Sequence, residues 1–258
     1  MKTGVLALLA AALGQSPAAT AQNDSTALVS PPSASRPVPF AAGERMQYLA
    51  KIGPTHVGRG SMEIVGIEDV RGRPAVHTRF MLRGGWLWFR ANYLLESWVD
   101  QATFSSVRFS QDSDDDPSER DRIYEIFPER RTYRVNDGDE RPSVEAPLDE
   151  GALLYYVRTM PLEVGKTYTL NRYFRPDRNP VVVKVVRRET IKVPAGTFQT
   201  IVIQPIIKSR GIFSEGGQAQ IWLSDDSSRV MVQMRVRLKV ANISLQLLSH
   251  HPGQTPTP

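Results

Sequence analysis

The chain of 258 residues has no cysteine, only four histidines and few aromatic residues (8%). Without cysteine the fold uses neither disulfides nor thiolate metal sites, so its stability must come from burial. The histidines are His56, His77, His250 and His251; they do not cluster at metal-ligand spacing, and H-E-x-x-H is absent. There is no G-x-S-x-G either: "GRGSM" around Ser61 lacks the second glycine of a nucleophile elbow. No P-loop or G-x-G-x-x-G is present, which removes the usual support for nucleotide chemistry. The acidic run "DSDDDPSERD" places Asp112, Asp114 and Asp116 at the spacing of a calcium loop. However, Pro117 stands where that loop needs glycine and Ile123 where it needs glutamate, so the run reads as a hydrated loop. No catalytic residue, metal ligand, cofactor or nucleic-acid partner is expected, and the reading leans away from an enzyme.

What is present first suggests a compartment. Lys2, the apolar "GVLALLAAALG" and the small residues Ala19 and Ala21 read as a signal peptide over 1–21, cleaved after Ala21. The apolar stretch is too short to span a bilayer. Export to the periplasm or the cell exterior follows, with no integral membrane segment after cleavage. Residues 22–39, rich in Ser, Pro and Ala, read as a disordered linker, and 250–258 as a disordered tail. Between them, 40–249 reads as one β-rich domain with a sizeable core, since 41% of the chain is hydrophobic. The formal net charge is +5, and 25 of the 32 basic residues are arginine, whose fork matches phosphate groups. Such a surface could also be ordinary solvated surface.

Period-two alternation dominates the domain. In "RVMVQMRVRLKV" the residues Val230, Val232, Met234, Val236, Leu238 and Val240 share one face. "ERMQYLAKI" and "AVHTRFML" alternate likewise; His77 falls on the polar face of its strand, where a solvated side chain is expected. "DRIYEIFPERRTYRV" reads as a hairpin turning at Pro128 to Arg130. In "VPAGTF" Pro194 presets one turn dihedral and Gly196 accepts a positive one. Asp225 and Asp226 separate two strand patterns and read as turn formers rather than catalytic carboxylates. "DEGALLYYVRTMP" predicts one short helix with Asp149 as N-cap and Pro161 as stop. No internal repeat is evident. The expected fold is mainly β: a single-domain antiparallel curved sheet or barrel-like structure, of lipocalin or lipoprotein-carrier type.

"FAAGERMQYLAKIG", "ESWVD", "ALLYYVRTMPLEVGKTYTL", "ETIKVPAGTF" and "QIWLSDDSSRVMVQMRVRL", in this order and spacing, resemble successive blocks of the bacterial envelope proteins grouped as domain of unknown function 3108. The resemblance spans about Phe40 to Leu248 and implies an exported β-rich domain; it carries no catalytic residue with it. The remaining feature is "RGGWLWFRANYLLESW", where Trp86, Trp88, Phe89 and Tyr93 follow a Gly-Gly step and would make a strand apolar on both faces. These four are the expected ligand-binding residues if one face lines a cavity; otherwise both faces are core. Three functions fit: a binding or carrier protein for an apolar or lipid-like envelope ligand, such as a lipid or glycolipid; a structural or interaction domain of the envelope; or a hydrolase without a recognisable motif.

Overall fold

The computed structural model describes residues 26–28, 38–86, 89–113, 121–208, 218–237 and 242–254. The expected signal peptide and its cleavage site lie outside them. One meander comprises β2 (Arg45–Ile52), β3 (Thr55–Val70), β4 (Arg73–Trp86), β5 (Phe89–Asp100), β6 (Ser106–Ser113) and β7 (Arg122–Phe127). It continues into the short β8 (Thr132–Val135) and β9 (Arg141–Pro142). A second meander comprises β10 (Thr167–Leu170), β11 (Val181–Val193), β12 (Gly196–Ile206), β13 (Gln218–Ser224), β14 (Met231–Arg237) and β15 (Asn242–His251). All pair antiparallel with their neighbours, and β15 pairs with β2, so the two meanders form one sheet. Within the expected linker, β1 (Thr26–Leu28) pairs in parallel with β10, and at the other end β15 carries the sheet through His251, into the expected tail.

The sheet curls into a barrel-like shape because the chain after β9 meets the chain after β10. Leu148 bridges Tyr173, and Ser143 Oγ donates to the Phe174 carbonyl at 2.7 Å. Phe174 then packs edge-on against Tyr124 and Tyr133 of the first meander, with ring centroids 5.1 and 5.2 Å away. Inside the curl lies α1 (Glu150–Tyr156), capped by Asp149 as its sequence predicts and followed by a 3₁₀ turn over Val157–Thr159. All seven residues of α1 are buried, packed against β4 and β5. Its residues from Gly151 to Tyr156 offer no charged side chain to water, which is why it is enclosed rather than laid on the surface.

The expectation of no repeat is corrected by the pairing register. One extra residue bulges from β3 at Val65, between the pairs Ile64–Thr78 and Gly66–His77; Val186 does the same in β11, between Val185–Ile203 and Arg187–Val202. A second bulge follows each tryptophan strand, at Val107 in β6 and at Val232 in β14. Trp98 Nε1 donates to Glu68 at 2.7 Å, and Trp222 Nε1 donates to Glu189 at 2.6 Å; each glutamate lies two strands away, two residues beyond the resumption of pairing. The meanders therefore share one plan. The repeat escaped a reading of residue types because it resides in bulge positions and register, while most residues on the shared frame differ.

Candidate functional site

The polar and apolar features of the molecule converge at one rim of the curl, where its two ends cross. Gly253 lies so close to the 41–42 backbone that a Cβ there would meet the Ala41 carbonyl at 2.3 Å. The Gln254 amide donates to the Ala42 carbonyl at 3.0 Å. Between this crossing and the ends of β3, β4 and β5 opens a cleft of about 680 Å³. Much of its wall is apolar, from Phe40, Ile64, Ile67, Val76, Val99 and Phe104. They come from several segments because each strand presents alternate residues to the same side.

Thr78, Asp100, Gln101, Ser227 and Ser228 also line it, together with the mutually oriented Glu44 and His250. Glu44, buried beside β2, accepts both terminal nitrogens of Arg158, at 2.7 and 2.8 Å, and lies 3.1 Å from His250 Nε2. Arg158 is wholly enclosed; its Nη2 also reaches the carbonyls of Ser228 (2.9 Å) and Pro39 (3.2 Å), its Nε is buried without a partner among the described residues, and its guanidinium lies over the rings of Phe40 and Tyr155. Burial alone would raise the Glu44 carboxyl, but the hydrogen bonds from Arg158 and His250 outweigh it and hold the group below the ordinary carboxylate range. Tyr155, 2% exposed, lines the cleft, and its hydroxyl has no hydrogen-bond partner among the described residues. Burial pushes that phenol far above its ordinary range, so it stays neutral.

A second polar group sits within the curl. Asp149 Oδ1 accepts from the Ala152 amide at 2.8 Å and from Ser97 Oγ at 2.6 Å, while Oδ2 is buried without a partner. Burial pushes this carboxyl up to about 6, against the pull of those hydrogen bonds. Next to it, Glu150 accepts from Tyr93 (3.3 Å) and Tyr173 (3.1 Å). Neither carboxylate lines the cleft, and Ser97 is fully buried, so the pair secures the start of α1 to β5 rather than facing a reactant. Among the described residues no group of acidic, histidine or cysteine side chains could hold a metal ion. No helix among them is long and apolar enough to cross a membrane.

The family model described as "Protein of unknown function (DUF3108)" matches residues 47–247, which includes both meanders, α1 and most of the cleft walls. The chain belongs to the DUF3108 family. No curated protein matches it. Among solved structures, it is similar to a β-barrel-like protein of domain of unknown function DUF1849 from Brucella abortus, at 10% identity and a TM-score of 0.51, over 84% of this chain and 100% of that one. At that identity the likeness shows the barrel-like fold alone. Looser matches are a candidate exported protein with a YmcC-like fold from Bacteroides fragilis and a candidate lipoprotein from Parabacteroides distasonis. Each is 12% identical and covers 83% of this chain and 98% of its own, with TM-scores of 0.35 and 0.36.

In this DUF3108 chain Trp86, Phe89 and Tyr93, three of the four residues expected to bind ligand, stand on strand segments away from the cleft. Trp86 pairs with Phe89 to close the β4–β5 hairpin, and Trp88, between them, lies outside the described residues. The cleft is reached from the opposite ends of those strands, at Val76 and Val99. Just before the hairpin, Gly84 faces Gly58 across strands whose backbones leave no room for a Cβ. Tyr93 turns inward, packing on Phe80 and donating to Glu150. Asp226 forms its turn as read, accepting from the Ser228 and Arg229 amides at 2.9 and 3.2 Å. His77, expected to be solvated, is 5% exposed beneath Trp98. The reading of the sequence passed over Arg158, Glu44 and Tyr155. The available signal was an arginine in the otherwise apolar "ALLYYVRTMP", a residue type that is buried only when paired.

Proposed function

We propose that this domain is exported and binds an apolar or lipid-like ligand of the cell envelope in the rim cleft, as a binding or carrier protein. Export rests on the leader-like pattern of residues 1–21. The observation that carries the binding reading is the cleft itself, an opening at the rim into which the apolar side chains of Phe40, Ile67, Val76, Val99 and Phe104 are set. A volume of about 680 Å³ suits a compact or single-chain molecule. The segments 38–44 and 250–253 together form one wall. The aromatic hairpin with Trp86, Trp88, Phe89 and Tyr93 is the competing location for the same ligand class.

Native mass spectrometry of protein purified gently from its own envelope tests this. Wild-type protein should carry an apolar molecule. Ile67→Trp, at a cleft wall position 53% exposed, should lose it while remaining folded, and Trp86→Ala should keep it. Ligand-free wild-type protein would overturn the reading, and loss in Trp86→Ala alone would move the site to the hairpin.

A further inference from the structure

The outer face of β2, β3 and β4 carries a second concavity, independent of the cleft. It is a groove of about 460 Å³ bordered by Arg45, Gln47, Arg59, Ser61, Met81 and Arg83. The inward side chains of the same strands, Met46, Tyr48, Ala50 and Met62, belong to the core, which leaves the arginines on the solvent side. Arg59 and Arg83 are direct partners across β3 and β4, and all three arginines are exposed. Between them the middle is low, because Ser61 is small.

Among the described residues many arginines elsewhere on the outer surface are matched, although Arg141 and Arg237 are not. Arg71 and Arg108 pair with Glu125, Arg79 with Glu96, Arg187 with Glu189 and Arg188 with Asp225. Arg45, Arg59 and Arg83 have no ion pair or hydrogen-bond partner among the described residues. Glu63, which stands opposite Arg45 in register, makes no ion pair with it. Like charges directly opposite on neighbouring strands repel, so the Arg59–Arg83 pair opposes folding unless an anion sits between the forks. Guanidinium groups bind phosphate oxygens in pairs, each through two parallel N–H donors. Three forks around a low centre make a receptor for a tetrahedral dianion.

We propose that this groove binds a phosphate group, carried by a lipid headgroup or by a small soluble phosphate. The test uses thermal unfolding of the full chain with pyrophosphate, beside the double variant Arg59→Gln/Arg83→Gln and the cleft variant Ile67→Trp. Wild type and Ile67→Trp should rise in Tm with pyrophosphate, because a ligand of the folded state stabilises it. The double variant should not rise, should bind pyrophosphate at least about tenfold more weakly, and should start at or above the wild-type Tm because the repelling pair is gone. Vesicle flotation then locates the source: retention on phosphatidic acid but not phosphatidylcholine, lost in the double variant, assigns a lipid headgroup, whereas a pyrophosphate response without flotation assigns a soluble phosphate. An equal Tm rise in wild type and double variant, or no rise in wild type together with flotation that survives the double substitution or is absent, would overturn the proposal.

Discussion

Trp98 in the first meander and Trp222 in the second hold the same place on the shared frame, with the same hydrogen bond to a glutamate two strands away and an arginine from the following strand over the ring, Arg108 and Arg235 respectively. Their surroundings differ. The strand position beside Trp98 is His77, whose ring stacks at 4.3 Å on the indole and whose nitrogens lie 2.8 and 3.2 Å from Glu68 and Glu96. Beside Trp222 the same position is Val202, and both are fully buried although neither belongs to the core cluster inside the curl. One frame thus supports a half-exposed charged ladder in the first meander and a second apolar layer in the second. The lesson is that bulges and register fix where a side chain stands, while the residue types beside it fix whether that place is wet or dry.

The largest way to break this comparison is to cut the link between the meanders. Arg158 joins Glu44, which precedes the first, to Ser228, in a turn of the second. Arg158→Met should cost about 3–5 kcal/mol in urea unfolding, because it strands a buried carboxylate. The double variant Glu44→Gln/Arg158→Met should recover much of that loss; a double variant as unstable as the single one would show that packing, not charge, makes the link.

Within the shared frame, Trp222→Ala should cost roughly 3–5 kcal/mol, as for a large core ring. Trp98→Ala should cost about 1–2 kcal/mol, since its ring is only partly withdrawn from water. Equal losses measured in the same denaturant series would erase the distinction between wet and dry positions.

A pH-dependent effect sharpens the comparison, for the N-cap of α1 is anchored to the first meander, through Asp149 to Ser97. Because the Asp149 carboxyl is raised from 3.8 to about 6, the folded state prefers it protonated. Its contribution is complete below about pH 3.8 and is lost as pH rises through 6, a change of up to about 3 kcal/mol. Asparagine can keep the cap bond to the Ala152 amide. Asp149→Asn should therefore gain on the wild type across that window, by stability curves at several pH values. Glu44 acts with the opposite sign: its lowered carboxyl contributes above its unfolded value and loses that contribution as the solution is acidified through its folded value. A wild-type-minus-variant difference that does not change with pH would show that folding leaves the Asp149 carboxyl unshifted.

Much of this architecture was legible in the chain. Alternation in "RVMVQMRVRLKV" marked a strand, observed as β14 over Met231–Arg237; the Pro128 turn and Gly196, at φ +136°, marked hairpins. Asp149 and Pro161 bounded the helix. These signals are local: side-chain period, a cap and a turn dihedral are properties of a few neighbouring residues. The candidate site was not legible. Its wall residues come from the segments 38–44 and 250–253 and from β3, β4 and β5, and Glu44 and Arg158 are 114 positions apart.

Residue order alone therefore determined that the protein is β-rich with one capped helix and no recognisable catalytic motif. Tertiary structure decided the rest: that β15 pairs with β2 and joins the two meanders, that α1 is enclosed by the sheet, and that an arginine from an apolar helix meets a glutamate from the chain entry. The physical reason is the range of the forces. Backbone propensity and hydrophobic alternation act between near neighbours, whereas strand pairing and the burial of a charge beside its counterion depend on which distant segments the closing sheet brings together.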